Sequence, residues 1–189
     1  MKLNTPKEEW ITGSMKLDRK SQLALYNYCF PELKKAARKF FSTEEELMHV
    51  INGSFIKIIE NLHKYESLNF NAWIKRICTN ESIDYLRKNK KYKEIFLIKA
   101  SEGANEPFEA PSIEINIEKE YLEHLLLQLN APSRIVFNLF AIEGFSHKEI
   151  SQSLGITVET SKWHTKMARK KLKAILANPQ KRTVYYGKA

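Results

Sequence analysis

Apolar residues recur at every third or fourth position along most of this chain, and no run of alternating β-branched residues interrupts them. That period is helical, so the pattern predicts an all-α protein. A first stripe runs Leu23, Tyr26, Phe30, Leu33, Ala37, Phe40 and Phe41, with Pro31 at a kink or at the first turn of a continuing helix. Ser42 with Glu45, or Thr43 with Glu46, offers a capping box for a second helix. Its buried face holds Leu47, Val50, Ile51, Phe55, Ile58, Ile59 and Leu62. A third long helix, from about Asn71 to Lys90, contributes Trp73, Ile74, Ile77, Cys78, Ile83 and Leu86. Residues before 20 lack pattern and suggest a mobile arm, with Trp10 and Ile11 resting on the body. From Glu94 to about Glu120 the chain reads as extended. Helical spacing then returns with Tyr121, Leu122, Leu125, Leu126 and Leu129, breaks at Asn130–Ser133, and resumes with Ile135, Val136, Leu139, Phe140 and Ile142.

The C-terminal pattern is the most specific. Ser146 and Glu149 have capping-box spacing, Ile150 and Leu154 share one face of a short helix, and Gly155 suits its left-handed end. Thr157 can cap a longer helix in which Val158, Ser161, Thr165, Ala168, Leu172 and Ile175 face inward. Lys162, Trp163, His164, Lys166, Arg169, Lys170 and Lys173 are left for the opposite face. A short capped helix, a glycine turn and a longer basic helix make a helix-turn-helix, whose second helix enters a DNA major groove. A helical hairpin with a solvated lysine face is the plainer reading of the same residues.

Charge sharpens the division into modules. The chain of 189 residues carries +9, with residues 1–93 holding 18 Lys/Arg against 11 Asp/Glu, 94–123 holding 2 against 8, and 124–189 holding 11 against 3. Two basic modules therefore flank an acidic connector, which contains Gly103, Pro107 and Pro111. The expected organisation is an arm over 1–19, a helical domain over 20–93, an acidic linker over 94–116, a helix-turn-helix domain over 117–178 and a tail over 179–189. A basic balance favours a polyanionic partner. The third helix ends in Arg87-Lys88-Asn89-Lys90-Lys91-Tyr92-Lys93 and also offers Trp73, Lys75, Arg76, Asn80 and Asp84. Cations interleaved with aromatics suit single-stranded nucleic acid, although such a run also serves as a solvated helix end, and Trp73 also suits the core.

Other chemistry has little purchase. The five histidines lack His-Glu-x-x-His spacing, and no glycine-rich phosphate loop is present. No metal, cofactor or small-molecule substrate is expected. Cys29 and Cys78 read as reduced, buried thiols, and no uncharged apolar run approaches the length of a membrane span. The expectation is a cytoplasmic protein without membrane insertion and without catalytic activity.

Two groups of residues resemble a known family. Leu129-Asn130-Ala131-Pro132-Ser133-Arg134, Glu143 to Ile150 and Leu154 to Lys162 are similar to region 4 of bacterial sigma factors. Phe70 to Ile77, Asn80, Ile83 to Arg87 and the basic tail resemble region 2. Both regions in this order, with an acidic linker, resemble the extracytoplasmic-function group of the sigma-70 family, which keeps only these two regions. The resemblance implies two small helical domains joined by an extended linker, with core RNA polymerase and promoter DNA as partners and an anti-sigma protein as a further one. It implies that Lys162, Trp163, His164, Lys166, Arg169 and Lys170 face a −35 duplex. Lys75, Arg76, Asn80, Asp84, Arg87 and Lys88 would serve −10 recognition and melting, and the loop from Tyr65 to Asn69 would capture a flipped base. The acidic linker would thread a polymerase channel otherwise used by RNA. Polymerase docking would fall to His49, Asn52, Phe55 and Ile56. Here the chain departs from the family pattern, since His49, Asn52 and Gly53 stand where an acidic Asp/Glu-x-x-Gln-Glu/Asp motif is usual.

Three rival readings remain at this level. One is an enzyme, and another is a helix-turn-helix regulator that binds DNA as a free dimer and never touches polymerase. The third is a scaffold that binds polymerase or an anti-sigma protein without promoter activity.

Overall fold

A computed structural model describes residues 6–66, 69–100 and 124–177. Among these there is no strand; the described secondary structure is helical. The helices are α1 (Glu8–Met15), α2 (Arg19–Ala37), α3 (Glu44–Asn61), α4 (Phe70–Lys88), α5 (Lys90–Ala100), α6 (described over 124–127), α7 (Ala131–Phe137), α8 (His147–Leu154) and α9 (Val158–Leu176). A 3-10 turn, Leu62–Lys64, extends α3, and a π-helical turn, Asn138–Ile142, extends α7. The chain divides into two compact units, with the division inside α4 between Tyr85 and Leu86.

In the first unit each long helix begins where a side chain can accept an orphan backbone N–H. Asp18 accepts from Ser21 N at 2.8 Å, and Asn69 accepts from Ala72 N at 3.0 Å. Thr43 is the N-cap of α3, accepting from Glu46 N at 3.3 Å, and its hydroxyl donates to Glu46 Oε2 at 2.8 Å. Leu25, Cys29 and Leu33 of α2, Val50, Ile51 and Ile58 of α3, and Ile74 and Cys78 of α4 are all fully buried. Pro31 is accommodated within a continuous α2. The cysteines are free thiols, and burial pushes that of Cys29 up to about 12, so it stays protonated. The expected N-terminal arm is instead structured from Glu8. Trp10 rests on Tyr28 with ring centroids 6.4 Å apart, which holds α1 against α2.

In the second unit, Leu125, Leu126 and Leu129 pack with Ala168, Leu172 and Ile175 of α9, and Phe137 closes the cluster. The extended chain expected from Glu94 is corrected over its described part, because Lys90–Ala100 forms α5. Tyr92 and Phe96 are one helical turn apart and both buried. The Phe96 ring meets His164 edge-on at 5.7 Å. Burying two aromatic rings offsets the entropy of ordering one short helix. Residues 101–123, which hold most of the expected acidic linker and the start of the expected helix-turn-helix domain at 117, lie outside the described residues, as do 67–68 within the expected base-capturing loop and the tail from 178 onward.

Candidate nucleic-acid interface

Two surfaces carry the candidate chemistry, one in each unit. In the first unit, α3 and α4 run antiparallel, as the contacts His49–Tyr85 and Gly53–Glu81 show. Past those contacts the two helices border a groove of about 590 Å³. The α4 wall is Trp73, Arg76, Ile77, Asn80 and Asp84, and the α3 side supplies Lys57, Asn61 and Lys64. The structure thus brings Arg76, Asn80 and Asp84 together as the sequence reading grouped them. Lys57, Asn61 and Lys64 were missed, yet their spacing of four and three along α3 is a legible helical edge. Trp73 is half-buried, with Tyr65 at 5.1 Å and Phe70 at 5.5 Å between ring centroids, so it belongs to an aromatic cluster and lines the groove as well.

The groove's polar groups are ordered by one another. Lys57 Nζ donates to Glu81 Oε2 at 2.5 Å and to Asp84 Oδ2 at 3.2 Å. Those bonds, that to Glu81 first, raise the Lys57 pKa above the ordinary lysine value, so it remains an ammonium throughout the neutral range. Asn61 Nδ2 donates to the Lys57 carbonyl at 2.8 Å, and Lys64 Nζ donates to Asn61 Oδ1 at 3.4 Å. Lys75 was grouped with the −10 residues, but it is absent from this groove and pairs with Glu32 at 2.6 Å. Its position on α4 turns it toward α2. Arg87 and Lys88 are exposed on the last turn of α4, in the second unit.

In the second unit the turn geometry follows from a few local bonds. Ser146 and Glu149 form a reciprocal capping box, with Ser146 N donating to Glu149 Oε2 at 2.8 Å and Glu149 N to Ser146 Oγ at 3.2 Å. Gly155 closes α8 at φ 68° and ψ 35°, where its N–H donates to the Ser151 carbonyl at 3.0 Å. Ser151 Oγ donates to the Ile156 carbonyl at 2.7 Å, and Thr157 caps α9 by accepting from Thr160 N at 3.0 Å. Ser161, Thr165, Ala168, Leu172 and Ile175 are buried, so the inward stripe lies as the spacing predicts.

On the outer side Lys162, Arg169, Lys170 and Lys173 are exposed, and Trp163 and Lys166 are half-buried. From Lys162 to Lys173 this edge spans roughly 16 Å at 1.5 Å per residue, enough to cross a major groove from wall to wall. The Arg169 guanidinium sits over the Phe140 ring at 5.7 Å, and His147 stacks on the same ring at 4.2 Å and 10°. His147 Nδ1 is 2.9 Å from Ser161 Oγ. Burial, and then the nearby Lys162 and Arg169, hold the His147 pKa below the ordinary histidine value. The π-helical turn thus supplies an aromatic seat that fixes one cation of the outer face.

His164 is a correction. It was expected on the duplex side, but its side chain is fully buried, with Nδ1 3.3 Å from Ser133 Oγ and its ring against Phe96. Three residues after Ser161 and four before Ala168, it falls on the inward stripe.

On α3 the four residues expected to dock polymerase lie together. His49 and Asn52 are exposed, and Ile56 is 58% exposed. Phe55 is half-buried and meets the edge of Tyr26 at 5.0 Å. Tyr26 Oη donates to Asn52 Oδ1 at 3.1 Å, which ties α2 to this face. No group of three or more histidine, cysteine or acidic side chains able to hold a metal occurs among the described residues, and no described helix is long and apolar enough to cross a membrane.

Comparison with known proteins decides the family. The family model for Sigma-70 region 2 matches residues 25–92, and that for Sigma-70, region 4, matches 119–172. The chain belongs to the sigma-70 family of RNA polymerase sigma factors, in its extracytoplasmic-function group. It is 27% identical over 153 residues to RNA polymerase sigma factor NccH of Alcaligenes xylosoxydans xylosoxydans, covering 78% of this chain and 82% of that protein. It is 29% identical over 153 residues to RNA polymerase sigma factor CnrH of Cupriavidus metallidurans, covering 76% and 80%. With ECF RNA polymerase sigma factor SigM of Bacillus subtilis it shares 25% identity over 126 residues, covering 67% and 77%. Among solved structures it is similar to RpoE in complex with the anti-sigma factor NepR from Bartonella quintana, with 21% identity, coverage of 86% and 98%, and a TM-score of 0.44. This sigma factor therefore pairs a region 2 groove with a region 4 helix-turn-helix.

Proposed function

We propose that this sigma factor carries core RNA polymerase to promoters, that α9 reads a −35 element in the major groove, and that the α3–α4 groove takes the opened strand of a −10 element. The observation that carries the reading is the pair of surfaces. One is a basic outer edge on a capped recognition helix, and the other is a groove that sets Trp73 among cations and amides. The first suits duplex phosphates and base edges, and the second suits unpaired bases. Lys162, Lys166, Arg169 and Lys170 face the −35 duplex, with Trp163 at their margin. Arg76, Asn80 and Asp84, joined by Lys57, Asn61 and Lys64, serve the −10 strand, and Arg87 and Lys88 neutralise DNA phosphates.

The work done is recruitment and strand separation without covalent chemistry, in the cytoplasm where polymerase acts. Cations release counterions from the duplex, and binding of extruded bases offsets part of the few kcal/mol that each unstacked step costs. The face formed by His49, Asn52, Phe55 and Ile56 docks polymerase, which then presents both units at high effective concentration. An anti-sigma protein is a further partner in this reading. Run-off transcription with purified core polymerase, with and without this chain, tests it. Initiation should require the chain, and Lys162→Ala with Arg169→Ala should weaken a −35-dependent promoter. A promoter-independent response, or initiation untouched by both substitutions, overturns the assignment of α9 to the groove.

A further inference from the structure

Lys57 is the one groove cation held by two carboxylates, and its setting depends on a missing side chain. Gly53 lies one helical turn before Lys57 on α3. A Cβ there would stand 2.7 Å from Glu81 Oε1 and 3.2 Å from Glu81 Cδ. The Glu81 carboxylate therefore occupies the space that any other residue at 53 would claim. From that place it grips Lys57 Nζ at 2.5 Å, with only 16% of its own side chain exposed. Asp84 holds the same ammonium from the groove side at 3.2 Å.

We infer that Lys57 contacts the edge of an unpaired nucleobase and helps set base preference, and that Glu81, seated over Gly53, is the positioning residue that aims it. The inference rests on the reading of this groove as the −10 strand site and adds to it a specificity residue with its support. Charge decides between base and phosphate. One ammonium flanked by two carboxylates leaves that end of the groove without excess positive charge, so a phosphate there would meet Asp84 as well as Lys57. An uncharged base does not carry that penalty. A lysine ammonium has three N–H donors, and two are engaged by Glu81 and Asp84. The third is left for a carbonyl or ring nitrogen of a base, held in a direction by the other two. Lys64 and Arg76, farther along the groove, are the cations for the strand's phosphates.

The test uses holoenzyme reconstituted with core polymerase and a set of single-stranded non-template −10 oligonucleotides in which each position carries each base in turn or none. Relative affinities within one protein are the readout, because partial loss of active protein cancels in the ratio. Lys57→Met should flatten the preference at one position by roughly tenfold and leave the others as they were. Glu81→Gln and Gly53→Ala should flatten the same position in part, and Lys57→Arg should restore some of it. Lys64→Met is the contrast, lowering affinity for every oligonucleotide alike, the abasic ones included. Should Lys57→Met keep the full preference, or lose affinity equally at all positions, the inference is wrong while the groove assignment stands. A wild-type holoenzyme without preference at any position defeats the −10 reading and this inference with it.

Discussion

Gly155 sets the turn between α8 and α9, and its replacement by alanine isolates a single energetic term. The residue sits at φ 68°, and a Cβ added there would meet no heavy atom within 4 Å. Steric crowding therefore contributes nothing, and the cost is confined to holding an L-residue in the left-handed region. That cost is about 1–2 kcal/mol for alanine and less for asparagine, whose short side chain tolerates this conformation. The turn's hydrogen bonds run from the backbone N–H groups of Gly155 and Ile156 to Ser151, so alanine keeps them. For a unit of this size, 1 kcal/mol lowers the melting temperature by about 4–8 °C. Urea and thermal unfolding of the full chain should place Gly155→Ala about 1–2 kcal/mol below wild type and Gly155→Asn between the two. Promoter sequence preference in the holoenzyme should not change, since the turn geometry survives. Equal costs for alanine and asparagine would refute the reasoning, because they would locate the penalty in contacts the structure does not contain.

Three further outcomes follow from the second unit. His147 has a folded-state pKa held below its unfolded value by burial and by Lys162 and Arg169, so the unfolded chain binds the proton more readily. Its contribution to stability is complete above the unfolded value near 6.5 and is lost as pH falls through that value toward the lower folded one. The urea midpoint of the second unit should drop between pH 7.5 and 5.5, and His147→Gln should reduce the drop; an identical pH dependence in the variant would contradict it. His164→Ala should cost stability, about 2–4 kcal/mol for a buried ring whose loss leaves a cavity and strips Ser133 of a partner, without altering −35 preference. Lys162→Ala should do the reverse, changing stability by less than about 0.5 kcal/mol while weakening duplex binding. Comparing unfolding curves with promoter-variant transcription for the two substitutions checks both.

The C-terminal turn was legible because its determinants are local. Ser146, Glu149, Gly155 and Thr157 act within four residues of themselves, so their spacing fixes two caps and a turn before any tertiary contact forms. The inward stripe of α9 was legible for the same reason, and it also placed His164. Treating that residue as a polar, DNA-facing group overrode its position between Ser161 and Ala168, where Ser133 could satisfy it. The α5 segment shows the opposite limit. Its charge and the prolines beyond it suggest extended chain, and the helix exists because Tyr92 and Phe96 find partners remote in sequence. The groove residues on the α3 side fall between these cases. Lys57, Asn61 and Lys64 share a helical edge, but only the antiparallel approach of α4 gives that edge something to face.

Gly53 shows how a departure from a family pattern can be read physically. Seen along the sequence, glycine in the middle of α3 removes a docking carboxylate and weakens the helix by about 0.5–1 kcal/mol relative to alanine. Seen in the structure, that space is filled by the Glu81 carboxylate, whose flexible end a methyl group would shift. A partly exposed ion pair of this kind contributes about 0–1 kcal/mol, so disturbing it offsets at most about what alanine gains in helix propensity. The two terms nearly cancel, and stability gives no reason to prefer glycine at this position. What glycine does change is where an ammonium points, at the mouth of a groove lined by Asn80 and Trp73. The face proposed for docking is held by other contacts, Tyr26 with Asn52 and with Phe55. Glycine at 53 is thus accounted for by the geometry of the groove behind α3, where Glu81 reaches Lys57.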